Sequence, residues 1–116
     1  MTERSSRIVI YDALRGLIVQ LLRAAGCLDE AARTTGDVLL EADLRGYGTH
    51  GLWYLPTMIR RVQCGMINPQ AKPDVVKESE ATALIDADRA LGPVSVTSAA
   101  RLAISKAKQA GSAQLV

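Results

Sequence analysis

Glu41-Ala-Asp-Leu-Arg-Gly-Tyr-Gly-Thr-His-Gly51 is the stretch on which the reading of this chain turns. It holds the single histidine of the protein, His50. An acidic helix end runs into glycines 46, 48 and 51, which bracket a Thr49-His50 pair. Glycine accepts backbone angles closed to other residues and lets a second backbone or a ligand come close. The unperturbed pKa of histidine lies near neutrality, so His50 can take or give a proton at working pH. Catalytic residues concentrate in loops held by rigid elements. The alternative for His50 is a surface or half-buried side chain that caps a helix.

Upstream of this stretch the spacing predicts two helices. The first runs from about Arg7 to Ala25, with Ile8, Leu14, Leu17, Ile18, Leu21, Leu22 and Ala25 forming one apolar stripe. Ser5 or Ser6 is expected to cap it and Gly26 to end it. Gly16 is expected to mark a close helix contact. The second begins at Asp29, a good N-cap, places Ala31, Thr35, Val38, Leu39 and Ala42 on one face, and ends near Arg45. Glu41 and Asp43 lie two residues apart on it. They therefore point in different directions and read as solvated charges or arginine partners rather than a catalytic carboxylate pair.

Downstream, Thr49 is expected to cap a short turn over residues 49–54, with His50 in its first turn. Pro56 fits the first turn of a helix from about residue 56 to 64, which Gly65 ends. Trp53, as a large aromatic, is expected in the core. Residues 65–73 carry Gly65, Pro69 and Pro73 and read as a connector. Asp74–Glu78 and Ala81–Asp86 read as two strands around a Ser79-Glu80 turn. A last helix runs from about Pro93 to Ala110 and stops at Gly111. Residues 112–116 resume a strand-like pattern with nothing to pair with in this reading.

The composition narrows the function classes. The chain has 116 residues, one domain's length, with 48% apolar and 22% charged residues. With no Phe, one Trp and three Tyr, its core must be aliphatic. The net charge is +2, and Arg60-Arg61 is the only adjacent basic pair. That is too weak a footprint for nucleic acid. No apolar run approaches the ~20 residues that cross a bilayer, and the N-terminus is no secretory signal. Cys27 and Cys64 lack CxxC spacing and read as reduced, partly buried thiols of a cytoplasmic protein. One histidine leaves no protein-only metal site. No GxGxxG or GxxxxGK[ST] loop is present, so no cofactor-binding residue is assigned.

The run ADLRGYGTHGLWYLP, residues 42–56, resembles the ADLRG-x-x-SHG-x-x-RLP signature of the malate/L-lactate dehydrogenase family. These are NAD(P)-dependent oxidoreductases that lack a Rossmann fold. The resemblance continues through Gly65, Ile67, Asn68 and Pro69, then PDVVKESEATALIDADRALG (73–92) and AARLAISKAKQAG (99–111), covering about Leu14 to Gly111. It implies a mixed α/β fold. A helical layer of about three helices comes first, then a β-hairpin and a helix, the start of a larger malate/L-lactate dehydrogenase-like fold. Residues 1–73 would be the helical region with the Thr-His motif, and 74–116 the beginning of the α/β body. The chain then corresponds to the N-terminal third of such an enzyme, with the main NAD or NADP site outside it and the whole enzyme a homodimer.

By the same resemblance His50 matches the histidine of the SHG motif, a proton donor or substrate contact, and Thr49 stands where the family usually has Ser. Tyr54 replaces an arginine able to hold the substrate carboxylate, and Met58 replaces a frequent tyrosine. A guanidinium fork binds a carboxylate bidentately and a phenol cannot. A small 2-hydroxy or 2-keto acid is the implied substrate. A non-catalytic helical interaction module is the competing reading, and a helix-turn-helix DNA binder with only Arg60 and Arg61 to offer is a weaker one.

Overall fold

The computed structural model describes residues 7–116. The elements are α1 (Tyr11–Ala24), α2 (Asp29–Leu44), two single-turn 3₁₀ segments (Gly48–His50 and Leu52–Tyr54), α3 (Leu55–Gln63), β1 (Asp74–Glu78), β2 (Thr82–Asp86), α4 (Gly92–Ala110) and β3 (Gln114–Leu115). This is the mixed α/β order expected from the sequence.

The first helix starts later than its apolar spacing implies. Its N-cap is Ile10, whose carbonyl accepts a bond from Leu14 N–H at 3.0 Å. Ile8, Val9 and Ile10 are β-branched and disfavour helix, whereas Asp12 suits the positive end of α1. Ile8 is fully exposed and off the stripe. Ser5 and Ser6, the expected caps, lie outside the described residues. The cap of α2 is also displaced by one residue. Leu28 is the N-cap and Asp29 the first helical residue. Its carboxylate accepts a bond from Arg33 at 2.7 Å.

The helices close around an aliphatic core in which Ile18, Leu22, Leu39 and Leu91 are almost completely buried. The stripe of α1 splits. Ile18, Val19 and Leu22 face α2, while Leu17 and Leu21 stay exposed. The close approach between α1 and α2 occurs at Gly36, not at Gly16. A Cβ on Gly36 would stand 3.5 Å from Ile18 Cγ2, and one on Gly16 would meet nothing within 4 Å. On α2, Leu40 and Ala32 join the buried face and Val38 lies half outside it. Trp53, expected in the core, is 79% exposed. The second 3₁₀ turn sends its neighbours Leu52 and Tyr54 toward the core and its indole outward. The two thiols are free and differ. Cys27 is buried, and desolvation pushes its pKa up; Cys64 is exposed at the end of α3.

The sheet order is β1-β2-β3. β1 and β2 form an antiparallel hairpin whose register slips between Val75 and Lys77, leaving Val76 as a bulge. β3 pairs parallel to β2, with α4 as the crossover such a pair requires. The segment expected to be unpaired at the end of the chain is therefore hydrogen-bonded. Gln114 N–H donates to Ala81 O at 2.8 Å, and Val116 N–H to Ala83 O at 3.0 Å. Lys106 on α4 anchors the hairpin, at 2.8 Å from the Glu78 carboxylate and 2.7 Å from Ser79 O.

Two outcomes test this packing. Thr35 is fully buried on α2, and its hydroxyl has no partner among the described residues. Burying an unpaired hydroxyl costs about 1–3 kcal/mol. Thr35→Val is expected to raise stability by about 1 kcal/mol in urea titrations, and a loss would show that the hydroxyl is satisfied in solution. The second concerns Arg15 and Asp37, which join α1 to α2 through a bidentate pair with one bond at 2.9 Å. Hydrogen bonding to Arg15 holds the Asp37 carboxyl below its ordinary range. A depressed folded-state pKa stabilises above the unfolded value, about 3.9, and the contribution disappears as pH falls through the lower folded value. The Tm difference between the native chain and Asp37→Asn should therefore be present at neutral pH, begin to shrink as pH falls below about 4, and vanish only below the lower folded-state value.

Candidate active site at the Thr49-His50 turn

The position of His50 is set first by how α2 stops. Gly46 has φ +81, a left-handed conformation costly for a residue with a Cβ. It lets Gly46 N–H reach Asp43 O at 3.0 Å and Tyr47 N–H reach Ala42 O at 2.8 Å. This pair of bonds is a Schellman closure, which satisfies carbonyls that the helix end leaves free. The first 3₁₀ turn follows at once, with His50 N–H donating to Tyr47 O at 2.9 Å. Thr49 and His50 sit within this turn, so Thr49 does not cap a helix as expected.

The turn is then pinned from behind. Asp43 Oδ2 accepts a bond from Leu52 N–H at 2.8 Å. An ideal Cβ on Gly51 would lie 1.9 Å from Asp43 Oδ1, so residue 51 must be glycine for the carboxylate to stand there. The two carboxylates near this helix end thus have separate tasks. Glu41 bonds Arg45 at 2.6 Å, as an arginine partner should. Asp43 is exposed, as a solvated charge should be, and has no arginine partner among the described residues; its carboxylate also accepts the first N–H of the second 3₁₀ turn. A D-x₇-G spacing carries no recognisable signal for this, because the contact exists only once the chain has folded back.

The side chains expected to act together do come together. His50, Thr49, Tyr54 and Met58 line one cavity of about 520 Å³. Its other walls are Val38, Leu39 and Ala42 from α2, and Gly92, Pro93 and Val96 from the start of α4. The volume suits a small-molecule site with apolar walls and few polar groups. Thr49 Oγ1 lies 3.1 Å from His50 Nδ1. With Nδ1–H donating to the Thr49 hydroxyl, Nε2 of the neutral ring is left free to accept a proton, and the imidazolium can give it back from the same atom. His50 and Thr49 are exposed, Tyr54 is half-buried and Met58 is buried. Thr49 also borders a second, shallower depression with Asp43, Tyr47, Leu52 and Trp53.

Sequence reasoning missed the α4 contribution and placed Val38 only on the shared face of α2. It also passed over Arg61, whose Nη1 donates to the Tyr54 hydroxyl at 2.6 Å. The signal available for Arg61 was its spacing of seven from Tyr54, two turns along a helix. Among the described residues, no group of three or more His, Cys, Asp or Glu is placed to hold a metal ion. No described helix is long and apolar enough to cross a membrane.

Gly51→Ala should push the Asp43 carboxylate off Leu52 N–H and cost about 1–3 kcal/mol in chemical denaturation. Asp43→Asn, which keeps a carbonyl oxygen, should cost less than Asp43→Ala. Amide exchange at Leu52 provides the local readout. Unchanged protection in Asp43→Ala would show that this bond does not hold the turn.

Comparison with known proteins bears directly on this site. The family model described as malate/L-lactate dehydrogenase matches residues 9–116. The L-sulfolactate dehydrogenase of Methanocaldococcus jannaschii is 44% identical over 95 residues, 82% of this chain and 28% of that protein. The malate/(S)-sulfolactate dehydrogenase of Methanothermus fervidus is 36% identical over 90% of this chain and 31% of its own length. The crystal structure of malate dehydrogenase from Entamoeba histolytica superposes with a TM-score of 0.86 at 38% identity, over 90% of this chain and 29% of that one. The chain thus spans less than a third of the length of these relatives.

Proposed function

Because the chain belongs to the malate/L-lactate dehydrogenase family, we propose that it forms part of an NAD(P)-dependent oxidoreductase acting on a small 2-hydroxy or 2-keto acid, with His50 as its proton-transfer group. The observation that carries this reading is the cavity shared by His50, Thr49 and Tyr54, with the His50 ring held through Nδ1. The names of the relatives, sulfolactate and malate dehydrogenase, support an anionic 2-hydroxy acid as substrate. Family membership favours the enzyme over a non-catalytic helical module.

Reduction of a carbonyl leaves negative charge on its oxygen, and a positioned acid must protonate it; oxidation of the alcohol needs the matching base. His50 supplies both. Nδ1 is taken by Thr49 Oγ1, so Nε2 is the atom left to face the substrate oxygen. Val38, Met58 and Val96 give the same cavity apolar walls. Tyr54 offers a hydroxyl to the same space but no bidentate grip.

No cofactor-binding residue is assigned among the described residues. The junction from β2 to α4 lacks a glycine-spaced loop, and Pro93 in the first turn of α4 has no N–H to offer. A bound nicotinamide cofactor supplies the hydride, and no step on it is assigned to these residues. The choice of NAD or NADP, the division at residue 73 between the helical region and the α/β body, a homodimeric assembly and a cytoplasmic location belong to the same proposal. Exposed Leu17, Val96 and Ile104 support an assembly that covers apolar surface.

In the dehydrogenase that contains this chain, His50→Ala should lower kcat by roughly two to four orders of magnitude. His50→Gln should restore little, because an amide does not exchange a proton near neutrality. Thr49→Ala should cost less than either. A His50→Ala enzyme with wild-type kcat would end the proton-transfer assignment, and a raised KM alone would reassign His50 to substrate binding.

A further inference from the structure

We propose that Arg61 supplies the cationic contact for the substrate carboxylate, with the Tyr54 phenol as the bracket that holds it at the cavity. This rests on the cavity being a 2-hydroxy or 2-keto acid site. A carboxylate taken out of water needs a compensating charge or several hydrogen bonds. The cavity wall offers His50, Thr49 and Tyr54, and none of them carries a permanent positive charge. Arg61 Nη1 donates to the Tyr54 hydroxyl at 2.6 Å, and its guanidinium carbon lies 5.6 Å from the centroid of the Tyr54 ring.

The backbone supports the same placement. Arg61 follows Met58 by three residues and Tyr54 by seven, so all three share one face of the segment that becomes α3. Tyr54 and Met58 both line the cavity, and Arg61 continues their row. Arg60 lies off that row. Arginines 15, 23, 33, 45 and 101 are each paired with a carboxylate, whereas Arg61 has no ion pair among the described residues. A guanidinium has five donors, and the phenol takes one. The remaining fork is free to bind a carboxylate, which Tyr54 alone cannot do bidentately.

The test uses the active dehydrogenase that contains this chain, assayed with the 2-hydroxy acid it turns over. Arg61→Gln should raise KM for that acid roughly 10- to 100-fold, the size of a lost charge-assisted hydrogen bond, and leave kcat and the KM for nicotinamide nearly unchanged. Arg61→Lys should recover part of the loss, and added guanidinium should lower the KM of Arg61→Gln. Tyr54→Phe should raise KM by less, because the charge remains. A purely structural Arg61 would weaken the acid and its uncharged methyl ester equally, and that result overturns the assignment. So does Arg61→Gln with a wild-type KM in an otherwise active enzyme. A wild-type protein inactive on every 2-hydroxy and 2-keto acid overturns the proposed function, and the Arg61 assignment with it.

Discussion

One carboxylate sets the path of the chain from α2 into α3. Asp43 stands in the space that any side chain on residue 51 would occupy, and its Oδ2 bonds Leu52 N–H. The chain leaves α2 through a left-handed Gly46, makes a 3₁₀ turn, passes beside this carboxylate and starts a second 3₁₀ turn that runs directly into α3. A longer or looser connection would not bring His50 and Tyr54 to one wall. Short 3₁₀ pieces have poor hydrogen-bond geometry on their own, so the turn depends on the bond from Asp43 and on the absence of a Cβ at Gly51.

The helices provide the frame against which this turn is rigid. α1 and α2 approach closely at Gly36, where the missing Cβ admits Ile18 and Val19. The same α2 presents Val38, Leu39 and Ala42 on the side facing α4, and these residues form part of the cavity. One helix therefore serves the core with one edge and the site with another. The connector reinforces the far side. Asn68 bonds Asp88 at 2.7 Å and Arg89 donates to Gly65 O at 3.0 Å, which holds the loop into α4 next to the end of α3. Leu91, at the entry to α4, is then drawn into the helical core.

In the proposed reading the Thr49-His50 pair handles the proton, and the anion must be gripped by other groups than Tyr54. Thr49 retains the hydroxyl beside the histidine, so the ring is still held through one nitrogen. Tyr54 and Met58 make the other wall phenolic and apolar. The phenol is not isolated, because it accepts a bond from Arg61 one turn beyond Met58. A positive charge about two helical turns along from Tyr54 is thus joined to its hydroxyl.

The order and kind of the elements were legible in the sequence because they depend on local chemistry. Apolar spacing, Pro56 at the start of α3, and glycines 26, 46, 65 and 111 at helix ends act within a few residues of themselves. The Thr49-His50 pair also stood out locally, as a lone titratable group among glycines. The start of α1, the exposure of Trp53, the close contact at Gly36 and the pairing of β3 with β2 were decided by the fold, because each depends on which distant surface comes into contact. Asp43 shows the distinction most clearly. On the helix it is one more acidic residue, and only the return of the backbone at Gly51 makes it the support of the turn. The sequence by itself determined which groups could do chemistry. Tertiary structure decided which of them share a cavity, since α2, the turn, α3 and α4 meet there only through packing between residues far apart along the chain.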